Sequence, residues 1–153
     1  VVADPRWDPT GTVIVDVLRA DADLMAALLN RDKAVTGGEV QADAPTVTVV
    51  NLNVNPTPFG PGSRRIGLAD WAYAIRCRGR RTPTGDIEAM AIAGHVSRIL
   101  GYSGWTKKVQ GSQTFAIAQS LEQQTTGPIP DPDTQEPTAV VLVNLKASAQ
   151  ALG

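Results

Sequence analysis

The sequence predicts an α+β fold: a mainly antiparallel or mixed β-sheet with two main helices packed on it, plus long Pro/Gly loops. Three observations lead there. Apolar residues recur at helical spacing in two separate stretches, β-branched runs follow Pro45 and Pro137, and proline- and glycine-rich segments separate the periodic pieces. A chain of 153 residues has room for one such domain around one sizeable core. Residues 1–11 read as an extended N-terminal arm and 147–153 as a loose C-terminal tail.

The first helix is predicted over residues 12–30. Val13, Ile14, Val17 and Leu18 share one face, Asp16 and Arg19 lie opposite, and Thr12 stands where an N-cap belongs. The stripe stumbles at Asp21 and Asp23 before Leu24, Met25, Leu28 and Leu29 resume it, so a break is expected at Asp21, with Asp23 capping a second short piece. After Gly37-Gly38 the texture becomes β-branched, and Thr46 to Leu52 read as a strand. Asn53 to Ser63 holds three prolines and two glycines and is expected to be a loop, longer than a tight hairpin needs.

Ile66 to Cys77 alternates well enough to be a second, long strand. Trp71, Tyr73, Ile75 and Cys77 fall on one face, with Ala72, Ala74, Arg76 and Arg78 on the other. Thr82-Pro83-Thr84-Gly85-Asp86 stops it and offers N-cap oxygens to a second helix carrying Ala89, Ile92, Val96, Ile99 and Leu100 and ending near Gly101. Trp105 to Gln110 and Thr114 to Gln123 read as weaker strands, and Ala139 to Val143 as a buried final strand. The stretch Gly127 to Asp133 reads as an extended, proline-stiffened loop. The expected core is Val17, Leu18, Leu28, Trp71, Tyr73, Ile75, Ile92, Val96 and Val141.

Composition excludes several function classes. Hydrophobic residues at 42% and charged residues at 19% describe a chain that folds, without an apolar run of the roughly 20 residues that a membrane span needs. No charged stretch followed by an apolar one resembles a signal peptide, and the expectation is an intracellular product. One cysteine, Cys77, cannot form an internal disulfide, and one histidine, His95, leaves no Cys/His set for zinc. His95 reads as a surface or partly buried helical side chain, and Cys77 as a small core hydrophobe. Asp131 and Asp133 lack the glycine and glutamate of a calcium loop and read as solvated turn carboxylates. Gly60-Pro61-Gly62-Ser63 lacks the Lys-Ser/Thr and the following helix of a phosphate cradle. No catalytic, cofactor or metal residue is expected, and neither is enzyme activity.

Charge is uneven along the chain. The net charge is −1, yet residues 1–43 carry 4 basic and 8 acidic groups, 44–111 carry 9 and 3, and 112–153 carry 1 and 4. The basic middle contains Arg64, Arg65 and the cluster Arg76, Arg78, Arg80 and Arg81. Alternation sets neighbouring guanidinium groups of that cluster about 7 Å apart on one strand face. Such crowding is relieved by solvent, by the acidic ends of a neighbouring copy, or by nucleic-acid phosphate, though no recognition helix or stacking motif accompanies it. The loops 53–63 and 127–137 are expected to touch neighbours, with Phe59 as an aromatic anchor flanked by Pro58 and Pro61, and Asp131 and Asp133 on the second loop.

A leading helix with a broken end, Pro45-Thr46-Val47, the Pro/Gly loop, Arg76-Cys77-Arg78-Gly79, Ala89-Met90-Ala91-Ile92-Ala93 leading to Arg98-Ile99-Leu100, Gly127-Pro128, Asp131-Pro132-Asp133 and Glu136-Pro137 occur in that order. The combination resembles the tail terminator, or tail completion and head-to-tail joining, proteins of long-tailed bacteriophages, especially those of actinobacteriophages, over most of residues 12–146. The resemblance implies a small subunit forming a homohexameric ring that caps the tail tube and joins the head connector. Its partners are then the tail-tube protein and a head-side connector or stopper ring. DNA passes through the lumen without sequence-specific binding, no membrane or cofactor is involved, and the subunit resides in the virion after assembly in the host cytoplasm. A head-side stopper or another neck or tail-tube protein is the alternative within that class. A small ligand-binding or enzymatic α+β domain is the alternative outside it, and a deep polar pocket in a monomer distinguishes it.

Overall fold

The structure, a computed structural model, describes residues 9–31, 33–38, 43–56, 69–101, 107–110, 113–117 and 122–151. Its elements run α1 (Pro9–Arg19), α2 (Ala22–Ala27), β1 (Val35–Gly37), β2 (Thr46–Pro56), β3 (Ala69–Arg78), α3 (Gly85–Leu100), β4 (Lys107–Gln110), β5 (Gln113–Ile117), β6 (Glu122–Pro130) and β7 (Pro137–Ala151). The seven strands form one sheet in the order β1-β2-β3-β7-β5-β4, with β6 also paired to β7. Among the described residues, β1–β2 is the one parallel pairing. The long strand β7 organises the sheet. One of its edges carries β3 along residues 138–147, and the other carries β6 on residues 137–144 and then β5 on 147–151. The fold is α+β.

α1 begins at Pro9, inside the segment expected as an arm, and Thr12 is therefore within the helix and not its cap. Proline suits the first helical position because its fixed φ matches the helix and the N–H it lacks has no partner there. The break falls at Asp21 as the interrupted stripe implied, but Asp21 itself is the cap, and Asp23 lies in the first turn of α2. Asp21 is extended, and its carboxylate accepts the N–H of Leu24 at 2.9 Å. That bond satisfies one of the orphan donors at a helix start.

Four further expectations are corrected. β2 continues through Asn53 to Pro56, past the expected start of the loop, after a bulge between Asn51 and Asn53 that resets its register with β3. The run expected as one strand from Thr114 to Gln123 is divided between β5 and β6. Gly127 to Pro130, expected as loop, belongs to β6, whose register shifts between Thr126 and Ile129 where Gly127-Pro128 sits. Proline is accepted in a strand at a bulge or where a donor is not needed. β7 runs to Ala151 through the expected tail, because Gln113–Ile117 supplies a ladder to its Ala/Ser-rich end. Pairing there outweighs weak intrinsic propensity. The short β1 was not anticipated, and Phe59, Pro58, Pro61, Arg64 and Arg65 lie outside the described residues.

One core joins the three helices to one face of the sheet. Ile14, Leu18, Leu24, Leu28, Ile92 and Val96 pack with Val47, Tyr73, Ile75, Cys77, Ala139 and Val141, all essentially solvent-free. Each large aliphatic buried there contributes about 1.5–3 kcal/mol. Val17 is only partly buried at the margin, since Ile14, Val15 and Leu18 take the centre of the α1 face. The side chain of Trp71 lies outside the described residues. Between β3 and α3 the chain turns at Gly79 and Gly85, both buried. A Cβ on Gly85 would collide with the carbonyl oxygen of Arg80 and lie 2.9 Å from Pro137 Cγ. This close approach needs glycine.

Candidate functional site

The candidate surface is the sheet face turned away from the helices. Alternation with the buried Tyr73, Ile75 and Cys77 puts Ala74, Arg76 and Arg78 of β3 on it. In register, Arg76 stands between Thr48 of β2 and Val140 of β7, and Arg78 between Thr46 and Thr138. The next row is apolar: Val50, Ala74 and Leu142. Thr46 and Thr48 are buried even on this outer face. The hydroxyl of the first is paired, since Arg78 Nε donates to Thr46 Oγ1 at 3.1 Å.

The structure brings Asp131 to these arginines within one chain. β6 and β7 form a hairpin whose connection, residues 131–136, is closed by its own hydrogen bonds. Asp131 N–H donates to the Glu136 carbonyl at 2.9 Å, and Gln135 N–H to the Asp131 carbonyl at 2.8 Å. Asp131 Oδ1 accepts the N–H groups of Asp133 at 2.8 Å and Thr134 at 3.2 Å, an Asx turn. Those two bonds, with Arg78 and Arg76 adding to them, hold the Asp131 carboxyl below its ordinary pKa. Residues 127–137 are thus strand and tight turn. Asp133 is exposed at its tip.

Arg80 is engaged by its own helix. Its Nη2 lies 2.7 Å from Glu88 Oε2, and its backbone N–H donates to Glu88 Oε1 at 2.8 Å. Arg81 is exposed at the turn. The expected cluster, its first three arginines alternating on one strand face, is therefore divided: Arg76 and Arg78 lie on the outer face, Arg80 is bound to α3, and Arg81 is exposed. Periodicity could place the first two but carried no sign of Glu88 or Asp131, which reach the cluster through the β3–α3 turn and the β6–β7 hairpin. A second cross-element pair was equally hidden, Arg98 Nη2 to Asp21 Oδ1 at 3.0 Å, with His95 Nδ1 3.4 Å from the same Arg98 nitrogen.

Cys77 is fully buried, and its Sγ lies 3.8 Å from the Ile75 carbonyl. Burial pushes its thiol up to about 12, so it stays protonated and unreactive in the folded chain. Among the described residues no three His, Cys, Asp or Glu side chains gather where they could hold a metal ion. No described helix is long and apolar enough to cross a membrane.

No protein-family model and no curated protein matches this sequence. Among solved structures, the chain is similar to one in the virion of a native gene transfer agent particle, at 15% identity and a TM-score of 0.53, covering 90% of this chain and 93% of that one. The two chains share a fold along nearly their whole length.

Proposed function

We propose that this chain is a structural protein of a phage-type virion and serves there as a tail terminator, a homohexameric ring that caps the tail tube and joins it to the head connector. The observation that carries the reading is the likeness to a chain of a gene transfer agent virion across 90% of this chain and 93% of that one. The order and texture of the sequence elements point to the same class. No catalytic role is assigned to any residue.

In this reading the outer face of the sheet and the β3–α3 turn meet neighbouring subunits. Arg76, Arg78 and Arg81 set register and association rate against acids such as Asp133 of the next copy, while apolar contacts supply most of the affinity. The loop containing Pro58, Phe59 and Pro61 and the basic pair Arg64 and Arg65 belong to the same proposal, as contacts with neighbours or with the adjoining ring. The test is native mass spectrometry of the full chain, joined to electron microscopy of tail tubes assembled with and without it. A sixfold mass and a ring on one end of tubes of fixed length are expected. Tubes that grow to unregulated length in its presence, with no protein at their ends, overturn the terminator role. Attachment to the head connector in place of the tube moves the chain to the stopper position.

A further inference from the structure

The sheet ends on one side at β1, and the hydrogen bonds of this short strand sort its backbone into two edges. The Ala34 carbonyl accepts the Val47 N–H at 2.7 Å, and the Gly38 N–H donates to the Val49 carbonyl at 2.9 Å, so the backbone groups of residues 34, 36 and 38 face β2. Those of Val35 and Gly37 therefore point outward, where no described strand pairs with them. The outward carbonyl of Val35 is nevertheless occupied. Arg19, the last residue of α1, donates to it twice, from Nε at 3.0 Å and from Nη2 at 2.7 Å. α1 lies against the inner face of β1, close enough that a Cβ on Gly37 would sit 3.8 Å from Val15 Cγ2. The exposed arginine thus reaches the sheet edge from the helix packed under it.

We infer that Arg19 guards this edge of the sheet against strand addition by another copy of the chain. An open edge offers a row of backbone donors and acceptors that a second strand can pair with, and a charged side chain on the edge is one way of closing it. Two N–H groups on one carbonyl use both of its lone pairs. The charged head also occupies the place where an incoming strand would lie. Such a strand has to displace a charge-assisted bond, roughly twice as strong as the neutral one that it would form in return. β6, which among the described residues pairs with β7 alone, is closed by a different device: Pro128 and Pro130 have no N–H to offer. β1 contains no proline, and its guard comes from α1 instead. The inference does not depend on the ring, whose contacts belong to the outer sheet face, the β3–α3 turn and the loop of residues 53–63.

Arg19→Met, which keeps an apolar stem and removes both donors, is the test, with Arg19→Met/Gly37→Pro as the rescue. The Gly37 N–H points outward, so proline there takes a donor from the edge without breaking the ladder to β2. Sedimentation velocity of the full chain over a wide concentration range, beside urea midpoints, is measured for the parent and both variants. Arg19→Met is expected to form species larger than those of the parent at concentrations at least about tenfold lower. The double variant is expected to sediment like the parent while its urea midpoint stays as low as that of Arg19→Met. A folded Arg19→Met chain that associates like the parent overturns the inference. So does association that the proline leaves unchanged, because unfolded chain and not the open edge then drives it. The comparison is with the parent at whatever mass it has, so a parent that is not hexameric removes the ring and leaves the guard standing. If Arg19→Met fails to fold, Arg19→Gln, shorter but still polar, decides by the same two comparisons. Failure of both to fold is also an overturning result, since the arginine is then needed to hold the fold itself.

Discussion

Arg80 and Glu88 form a two-point clamp between the end of β3 and the first turns of α3: the guanidinium and the backbone N–H of Arg80 both reach one carboxylate, at 2.7 and 2.8 Å. The arginine that sequence reading places in a crowded basic row is neutralised by its own helix. Glu88 is held below its ordinary pKa, first by the Arg80 side chain and then by the Arg80 N–H. Arg81, one residue on, is exposed.

The consequence is a different role for two adjacent arginines. Arg80→Ala should lower the thermal midpoint slightly and leave the salt dependence of self-association nearly unchanged. Arg81→Glu should do the reverse, slowing association at low salt with an effect that fades as screening shortens the reach of charge. Stopped-flow light scattering at two ionic strengths, beside thermal melts, checks both. Equal salt slopes for the two variants would remove Arg81 from the interface.

Asp21 caps α2 and binds Arg98 through the same oxygen. Asp21→Ala should cost about 1 kcal/mol, the usual loss for an N-cap. Asp21→Asn, which still accepts from Leu24 N–H but loses its charge, should cost less. The Arg98 hydrogen bond, then the Leu24 N–H, lower the Asp21 pKa from its ordinary 3.8. A depressed carboxylate pKa means this stabilisation is present above 3.8 and is lost as pH falls through the lower folded value. Urea midpoints measured from neutral pH to pH 3 should therefore converge between the wild type and Asp21→Asn at the acid end.

Strong periodicity made much of this fold legible, and contact order hid the rest. Ala89, Ile92, Val96 and Leu100 repeat over about three turns, so α3 was readable between the Thr82–Asp86 stop and its end near Gly101, and Tyr73, Ile75 and Cys77 fixed which face of β3 is buried. That alternation also placed Arg76 and Arg78 on the opposite face. β6 was unreadable because Gly127-Pro128-Ile129-Pro130 has loop chemistry, and only the ladder offered by β7 makes it a strand. Asp131 approaches the arginines as a result of that hairpin, so missing the strand meant missing the acid. Glu88 and Asp21 were visible as charges, but their partners lie across element boundaries that no local pattern encodes.

Cys77 should behave as a core atom until the chain unfolds. Its thiol stays protonated to about 12 in the folded chain against an ordinary 9.0, purely through burial. A thiol reagent at pH 8 should leave it unmodified in buffer and titrate one group in denaturant. Above 9.0 the unfolded thiol loses its proton while the folded one keeps it, so this residue lowers stability as pH rises from 9.0 toward 12. Cys77→Ala should flatten that alkaline decline, and an unchanged slope would assign the decline to other groups.

One substitution should have opposite signs at two glycines of the same helix. At Gly85 a Cβ would overlap the Arg80 carbonyl oxygen and press on Pro137 Cγ at 2.9 Å, and both neighbours are fixed, the first as backbone at the β3–α3 turn and the second at the start of β7. Neither can yield without moving a strand end, so Gly85→Ala should cost about 1–3 kcal/mol through overpacking. At Gly94 nothing lies within 4 Å of the added carbon, the residue is exposed, and the helix continues on both sides. There Gly94→Ala should add about 0.5–1 kcal/mol by removing unfolded-state freedom and raising helix propensity. Urea unfolding at low protein concentration, where self-association does not contribute, measures the two on one scale. Loss of stability in both would mean that the exposed side of α3 is covered in the folded chain, and a neutral Gly85→Ala would mean that the turn between β3 and α3 can relax.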